Sequence, residues 1–148
     1  MRFDPAKLRG RLRGEGGFTL IEILVVIAII ALIMSLVGPR VLNYLGESKV
    51  KAARIQIQSF GSALDLFNLD TGRYPSTGEG LAALVQSPGT IPSWNGPYLK
   101  KNAVPPDPWK KPYQYQSPGS HGDYDLFSYG ADGTPGGDGE NKDVNSWE

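Results

Sequence analysis

The side chains best suited to bind a ligand are carboxylates near the C-terminus. Residues 119–148 hold seven acids against one base, Lys142. The acids are Asp123, Asp125, Asp132, Asp138, Glu140, Asp143 and Glu148. Carboxylate oxygens are ligands that hard cations such as Ca²⁺ prefer. The stretch is not an EF-hand, because the third and fifth positions of a loop starting at Asp132 are Thr134 and Gly136 instead of Asp or Asn. The residues alone leave two alternatives open, a solvated acidic turn and a calcium site.

Catalytic chemistry has little material in this sequence. The chain has no Cys and a single histidine, His121, which lies in a glycine-rich turn. The glycine-rich stretch 130–139 does not form a phosphate-binding motif, because no Lys-Ser or Lys-Thr follows it and Asp132 and Asp138 would repel a phosphate. We therefore predict no catalytic activity, and a position on the surface of the turn for His121.

The overall charge gives no indication of a nucleic-acid partner. The 148 residues include 15 Lys or Arg and 15 Asp or Glu, so the formal net charge is zero. These charges are unevenly distributed along the chain. Residues 1–17 contain five basic and two acidic residues, a net +3, and residues 18–148 carry the compensating −3. The length allows one compact domain.

An apolar segment of twenty residues, Phe18–Val37, follows the basic N-terminus and contains one charged residue, Glu22. As a helix it is about 30 Å long, the thickness of the hydrocarbon core of a bilayer. It differs from an ordinary secretory signal because its small residues, Gly16 and Gly17, precede the apolar run, so that cleavage there would leave this run on the mature protein. Glu22 at membrane depth costs at least ~2.5–3.5 kcal/mol and needs a partner.

A long helix from about Thr19 to Leu69 is predicted to organise the fold. Gly38-Pro39 interrupts its pattern, and a helix end and a kink both remain open there. Further along, apolar residues recur at spacings of four, three, four and three, which places them on one helical face. They are Ala53, Ile57, Phe60, Leu64 and Phe67. Thr71-Gly72 is expected to end the helix.

The rest of the chain predicts a small antiparallel sheet. Residues 80–85 are typical of a short helix, and residues 87–112 of an ordered, proline-rich loop that is held by Trp94, Tyr98 and Trp109. Residues 113–115 and 124–129 alternate as strands do, on either side of a Pro-Gly turn. The predicted fold class is therefore α+β, with this sheet packed on the outer half of the long helix.

The N-terminal motif resembles that of the type IV pilin superfamily, which includes the pseudopilins. The residues concerned are Gly17-Phe18-Thr19-Leu20-Ile21-Glu22, preceded by a short basic leader. Downstream segments are similar to those of the major pseudopilins of bacterial type II secretion systems. They are Ala63-Leu64-Asp65, Leu69-Asp70, Arg73-Tyr74-Pro75-Ser76-Thr77, Gly80-Leu81, Asp107-Pro108-Trp109, Ser117-Pro118-Gly119, Gly130-Ala131-Asp132-Gly133 and Ser146-Trp147.

The resemblance implies a processed, membrane-anchored filament subunit. Residues 1–17 would be a leader that a prepilin peptidase removes between Gly17 and Phe18, with N-methylation of Phe18. Residues 18–38 would span the bacterial inner membrane once and drive assembly, and residues 39–148 would form a periplasmic domain. Glu22 would pair with the Phe18 amine of a neighbouring subunit and so fix the axial register.

Assembly would give a homopolymeric pseudopilus that helps move folded periplasmic proteins across the outer membrane. The implied partners are further copies of the chain, minor pseudopilins, inner-membrane assembly proteins and a cytoplasmic secretion ATPase. The resemblance also favours calcium over the solvated turn. Asp132 and Asp143 match ligands of the family, the Tyr129 carbonyl is a further candidate, and Asn141 stands where relatives often place another acid.

Three alternatives compete with this interpretation. A major type IV pilin would build surface fibres for adhesion or motility, but many such pilins close their C-terminal region with a disulfide and this chain has no Cys. An uncleaved signal anchor of an unrelated protein would account for the apolar run and not for the glycine placed before it. A membrane-anchored, calcium-dependent binding module that never polymerises would leave Glu22 unexplained.

Overall fold

The computed structural model describes residues 17–148, so all of the predicted leader except Gly17 lies outside the described residues. Its main element is one helix, α1, Leu20–Thr71, which confirms the predicted long helix. The helix continues through Pro39, so of the two alternatives left open at Gly38-Pro39 the helix end is excluded. A helix tolerates proline at the expense of one backbone hydrogen bond, here the one to the Ser35 carbonyl. Gly72, with φ of 78°, follows the last helical residue.

Residues 40–148 form a compact unit around one face of α1. The five residues of the predicted stripe, Ala53, Ile57, Phe60, Leu64 and Phe67, are all buried. They pack with a set of apolar residues from the rest of the unit: Ala63, Leu81, Ala83, Leu84, Tyr113, Leu126 and Val144. The predicted short helix is a single 3-10 turn, Leu81–Leu84, which contributes three of them. This shared core fixes the sheet against α1.

The sheet has three antiparallel strands in the order β1-β2-β3. The strands are β1, Gln114–Gln116, β2, Asp125–Ser128, and β3, Val144–Asn145. The first two lie within one residue of their predicted positions at each end, and β3 was not predicted. Tyr115 of β1 faces Leu126 of β2, whose neighbour Phe127 faces Asn145 of β3. The acidic stretch 129–143 therefore connects the central strand to an edge strand.

Side chains cover the end of β1 where no further strand pairs. The Thr77 hydroxyl donates to the Ser117 carbonyl at 3.0 Å and accepts from the Ser117 amide at 2.9 Å. The Tyr115 hydroxyl donates to the Pro75 carbonyl at 2.8 Å. Burial raises the pKa of Tyr115 to about 12, so this hydroxyl remains a donor at neutral pH. The residues around Thr77 thus satisfy backbone groups that would otherwise lie open at the sheet edge.

The proline-rich loop is held by its aromatic residues, as predicted. The Trp94 indole donates to the Ala83 carbonyl at 2.8 Å, and the Tyr98 hydroxyl donates to the Asp70 carboxylate at 2.9 Å. These bonds connect the loop to the 3-10 turn and to the end of α1. The loop is consequently a fixed part of the domain.

Candidate functional site: the N-terminal segment and the acidic loop

Gly17 and Phe18 lie in an exposed, non-helical segment before α1. A Cβ added to Gly17 would have no atom within 4 Å. Packing within the described chain therefore gives no reason for a glycine at this position. The Phe18 ring is 78% exposed. The predicted cleavage bond between these two residues thus lies in an exposed segment outside the helix.

Glu22 forms a capping box with Thr19 at the start of α1. The Thr19 amide donates to Glu22 Oε2 at 3.3 Å, and the Glu22 amide donates to Thr19 Oγ1 at 3.2 Å. A Thr-x-x-Glu sequence before an apolar run is a known signal for this arrangement, and the sequence analysis overlooked it. The predicted partner of Glu22, an amine of a neighbouring chain, lies outside the structure of a single chain.

The first half of α1 is apolar and exposed. An 18-residue window in this helix has a mean hydropathy of 3.1 and none of it is buried within the protein. Its length and composition suffice to cross a membrane. A core helix of a water-soluble protein would bury such a surface, so this half of α1 needs lipid or other helices around it.

The acidic loop between β2 and β3 is closed by main-chain contacts. The Ala131 amide donates to the Glu140 carbonyl at 2.9 Å, and a 3-10 turn, Gly139–Asn141, leads out of the loop. Two glycines with positive φ allow the chain to pass close to itself. A Cβ at Gly130 or Gly137 would lie 2.9 or 2.7 Å from the Asn141 carbonyl oxygen. The backbone next to Tyr129 is thereby brought against that of Asn141, two of the four predicted ligand residues.

The two predicted aspartates differ in their surroundings. Asp143 Oδ2 accepts from the Gly136 amide at 2.9 Å, whereas Asp143 Oδ1 is buried and has no hydrogen-bond partner among the described residues. Asp132 is exposed, and its Oδ1 accepts from the Thr134 amide at 3.1 Å. A buried carboxylate oxygen without a partner is destabilising, and a bound cation would relieve it. Asp143 therefore fits the predicted role of a cation ligand.

The carboxylates of the acidic loop do not form a cluster in the part of the chain that the structure describes. Within residues 17–148, no group of three or more His, Asp or Glu side chains is arranged to hold a metal. Because Ca²⁺ takes six to eight oxygens, main-chain carbonyls would have to supply several of them. The carbonyl predicted at Tyr129 belongs to this class. The Asn141 side chain is exposed, and the Tyr129 ring packs edge-on against Phe127 at 5.0 Å.

The acidic loop also packs on α1. Gly46 is buried in the helix, and a Cβ there would lie 3.0 Å from the Glu140 Cβ. Beyond the loop, the half-exposed carboxylate of Glu148 forms ion pairs with Lys142 at 3.4 Å and with Arg54 of α1 at 3.9 Å. The acidic loop, at Glu140, and the last residue, Glu148, therefore both contact α1.

His121 contacts two neighbouring side chains, Asp125 and Trp147. Its Nδ1 lies 3.0 Å from Asp125 Oδ2, and its ring stacks on Trp147 with centroids 4.0 Å apart. Burial raises the pKa of Asp125, but hydrogen bonds from Ser120 and from His121 outweigh it, so the pKa lies below its usual value. The side chain of His121 is about half exposed, as predicted for a turn. Its contacts attach the C-terminal segment to the turn before β2.

Comparison with known proteins assigns the chain to a family. Residues 40–147 match the sequence profile described as "Type II secretion system (T2SS), protein G". The chain belongs to this family. Its first part, residues 12–38, matches the prokaryotic N-terminal methylation motif. The resemblance to major pseudopilins found in the sequence is confirmed.

Relatives in the protein G family match over nearly their whole length. "Type II secretion system core protein G" of Pseudomonas aeruginosa is 45% identical over 140 residues, which cover 92% of this chain and 97% of the relative. The protein of the same name from Vibrio cholerae is 39% identical, with coverages of 93% and 94%. The crystal structure of the major pseudopilin from the type 2 secretion system of enterohaemorrhagic Escherichia coli aligns with a TM-score of 0.58 and 32% identity. It covers 72% of this chain and 92% of that one.

Proposed function

We propose that the chain is the major subunit of a type II secretion pseudopilus and that growth of this filament helps move folded periplasmic proteins across the outer membrane. The observation that carries the proposal is the division of α1 into two halves. Its first half is apolar and has no buried surface, and its second half contributes residues to the domain core. A single subunit leaves this apolar half uncovered. A filament of many copies would cover it with helices of its neighbours, and before assembly the lipid would do so.

The type IV pilin alternative explains less. The relatives over the full chain carry the name of a secretion-system protein, and none of those described above is named a pilin of surface fibres. The C-terminal region ends in the acidic loop in place of a disulfide, since the chain has no Cys. Both observations favour the secretion filament.

Maturation is expected at the N-terminus. A prepilin peptidase would cut between Gly17 and Phe18 and Phe18 would be N-methylated, as the match to the methylation motif suggests. The basic leader would stay in the cytoplasm, and residues 39–148 would lie in the periplasm. Minor pseudopilins and inner-membrane assembly proteins are the expected partners. Energy would come from a cytoplasmic ATPase, because we expect no catalytic activity in this chain.

Glu22 would change partners on assembly. In the single chain its carboxylate makes one 3.3 Å hydrogen bond with its own helix start. Between packed apolar helices an ionised carboxylate needs a full opposite charge, and the amine that cleavage creates on Phe18 of a neighbour would supply it. Other axial registers would leave both charges unpaired. The pair would therefore select one register, whatever its net contribution to stability.

A calcium ion would complete the acidic loop. We propose Asp143 and Asp132 as its carboxylate ligands, the Tyr129 carbonyl as a main-chain ligand and Asn141 as a further candidate. The argument rests on the buried, unpartnered Oδ1 of Asp143 and on the closed path of the loop. The ion would supply positive charge to a loop that has an excess of acids. It would join β3 to the end of β2, where a disulfide is not available.

Deletion of the gene tests the function directly. The secreted proteome and the surface fibres of the deletion strain would be compared with those of the parent and of a strain complemented in trans. Loss of secretion with unchanged fibres is the expected result. Loss of fibres with normal secretion would support the pilin alternative instead and contradict the proposal.

A further inference from the structure

The acidic loop already contains a cation from elsewhere in the chain. The ammonium of Lys111 donates to the Ala131 carbonyl at 2.7 Å and to the Gly130 carbonyl at 3.3 Å. We propose that Lys111 is a tethered cation that holds the entry of the loop in place in the metal-free protein. The inference extends the proposed calcium loop, and it assigns a positioning role to a residue outside the predicted ligand set.

A turn built on Asp107 positions Lys111. Asp107 is 4% exposed, and its Oδ1 accepts from the amides of Trp109 at 3.0 Å and Lys111 at 2.8 Å. The Asp107 amide in turn donates to the Lys111 carbonyl at 2.8 Å. Lys110 lies between them and has a backbone φ of 69°, a value that residues other than glycine seldom adopt. The main chain of Lys111 is thus fixed at its amide and at its carbonyl.

The same carboxylate fixes the start of the loop. Asp107 Oδ2 accepts from the Ser128 hydroxyl at 2.5 Å, and Ser128 Oγ accepts from the Gly130 amide at 3.2 Å. The main chain of Gly130 is therefore attached to this turn twice, through Ser128 at its amide and through Lys111 at its carbonyl. Both attachments are buried or half-buried, so water competes weakly for them.

The ammonium also lies close to the backbone of Gly133. A Cβ on Gly133 would be 2.7 Å from Lys111 Nζ, and Gly133 has φ of 72°. An ammonium has three donors, and two of them are directed at main-chain carbonyls, the class of oxygen that calcium sites also use. The loop's own lysine, Lys142, is bound to Glu148 instead. Lys111 is therefore a cation that contacts the loop entry, at the carbonyl of Ala131, the residue before Asp132 in the sequence.

Two opposite effects follow from one charge. Without metal, the ammonium offsets the repulsion among the acids of the loop and keeps residues 130–131 in place. With Ca²⁺ bound, a fixed positive charge in the same loop repels the ion. Removing the charge should therefore lower the stability of the metal-free protein and enlarge the stabilisation that calcium adds. Lys111 would make the domain less dependent on calcium than its acids alone would.

The test uses the full-length, processed protein in detergent micelles. Trp94, Trp109 and Trp147 all lie in residues 40–148, so tryptophan fluorescence follows the melting of this unit alone. Wild type, Lys111→Met, Lys111→Arg and Lys110→Met would each be melted in EDTA and in saturating Ca²⁺. Lys110→Met is the matched control, because it removes the same charge from the exposed neighbouring lysine.

We expect Lys111→Met to melt roughly 4–8 °C below wild type in EDTA, to show a larger rise on adding calcium, and to exchange amide hydrogens faster within residues 130–143. Lys111→Arg should remain close to wild type, as should Lys110→Met. An unchanged melting temperature of Lys111→Met in EDTA, or an equal loss in Lys110→Met, would overturn the proposal. If calcium has no effect on wild type while Lys111→Met still melts early in EDTA, the calcium proposal fails and the tether is retained.

Discussion

Replacing Asp143 with Asn separates a cation ligand from a residue that merely packs. The substitution keeps the size of the side chain and an oxygen that can accept from the Gly136 amide, the bond now made by Asp143 Oδ2 at 2.9 Å. It removes the negative charge and the second carboxylate oxygen, Oδ1, which is buried without a partner. We expect Asp143→Asn to be less stable than wild type only when calcium is present.

The size of the effect follows from two free energies. A buried polar atom without a partner destabilises by about 1–3 kcal/mol, and by more when it carries charge. Asn places a neutral amide nitrogen where the charged Oδ1 lay, so in EDTA the variant should equal or exceed wild type. A ligand that binds only the folded state adds about 2.7 kcal/mol at a concentration one hundred times its Kd. For a unit the size of residues 40–148, each kcal/mol shifts Tm by roughly 4 °C. Wild type should therefore gain about 10 °C on saturation with calcium, and the variant much less.

The assay is thermal unfolding of the full-length protein, followed by tryptophan fluorescence, in EDTA and across a calcium titration. Asp138→Asn is the matched control, since it removes the same charge from an exposed acid of the loop that is not a predicted ligand. Should Asp143→Asn be destabilised equally in EDTA and in calcium, Asp143 would be a packing residue and the reasoning would be refuted. If Asp138→Asn lost the calcium effect equally, the effect of Asp143 would come from the total negative charge of the loop and not from a ligand position.

Three further predictions concern processing, assembly and acid stability. Gly17→Val should block cleavage and leave a subunit about 1.9 kDa heavier by intact mass, from seventeen residues at roughly 110 Da each; a processed variant would contradict the recognition of Gly17. Glu22→Leu should be processed and inserted but sediment poorly as filaments, and normal filaments would exclude the register role. Glu79 accepts two 2.7 Å bonds from Arg73, which lower its pKa to about 2. Because its folded pKa is depressed, Glu79→Gln should lose about 1 kcal/mol of urea-measured stability at neutral pH. Most of this difference from wild type should disappear as the pH falls from about 4.5 to 2. A difference that keeps its full size at pH 2 would rule out the charge as its source.

The sequence was sufficient to predict a buried surface where apolar residues recur at a regular spacing. Five apolar residues at helical spacing predicted the buried face of α1, because only one face of a helix can pack against the domain. The strand β3 has two residues, and no alternation can be read from so few. The capping box of Thr19 and Glu22 follows from the local Thr-x-x-Glu sequence and was therefore predictable, although the sequence analysis assigned Glu22 only a partner in a neighbouring chain.

The details of the acidic loop could not be predicted, because they depend on residues distant in sequence. Lys111 is twenty residues from the Ala131 carbonyl that it contacts, and nothing in its local sequence distinguishes it from Lys110. The contact of Glu140 with Gly46 of α1 joins positions almost a hundred residues apart. Such pairs are determined by the assembled core, and a single sequence gives no measure of them.

The hydrogen bonds between Thr77 and the backbone at the end of β1 protect the sheet edge against aggregation. A protein stored at high concentration in one membrane brings many copies of its sheet close together, and an open sheet edge would invite strand-by-strand addition into aggregates. Thr77 blocks both backbone groups of Ser117, and on the opposite edge β3 offers only two residues for pairing. Growth of the proposed filament would then depend on contacts other than strand pairing. A filament built without strand pairing could be taken apart subunit by subunit, which a fused sheet could not be.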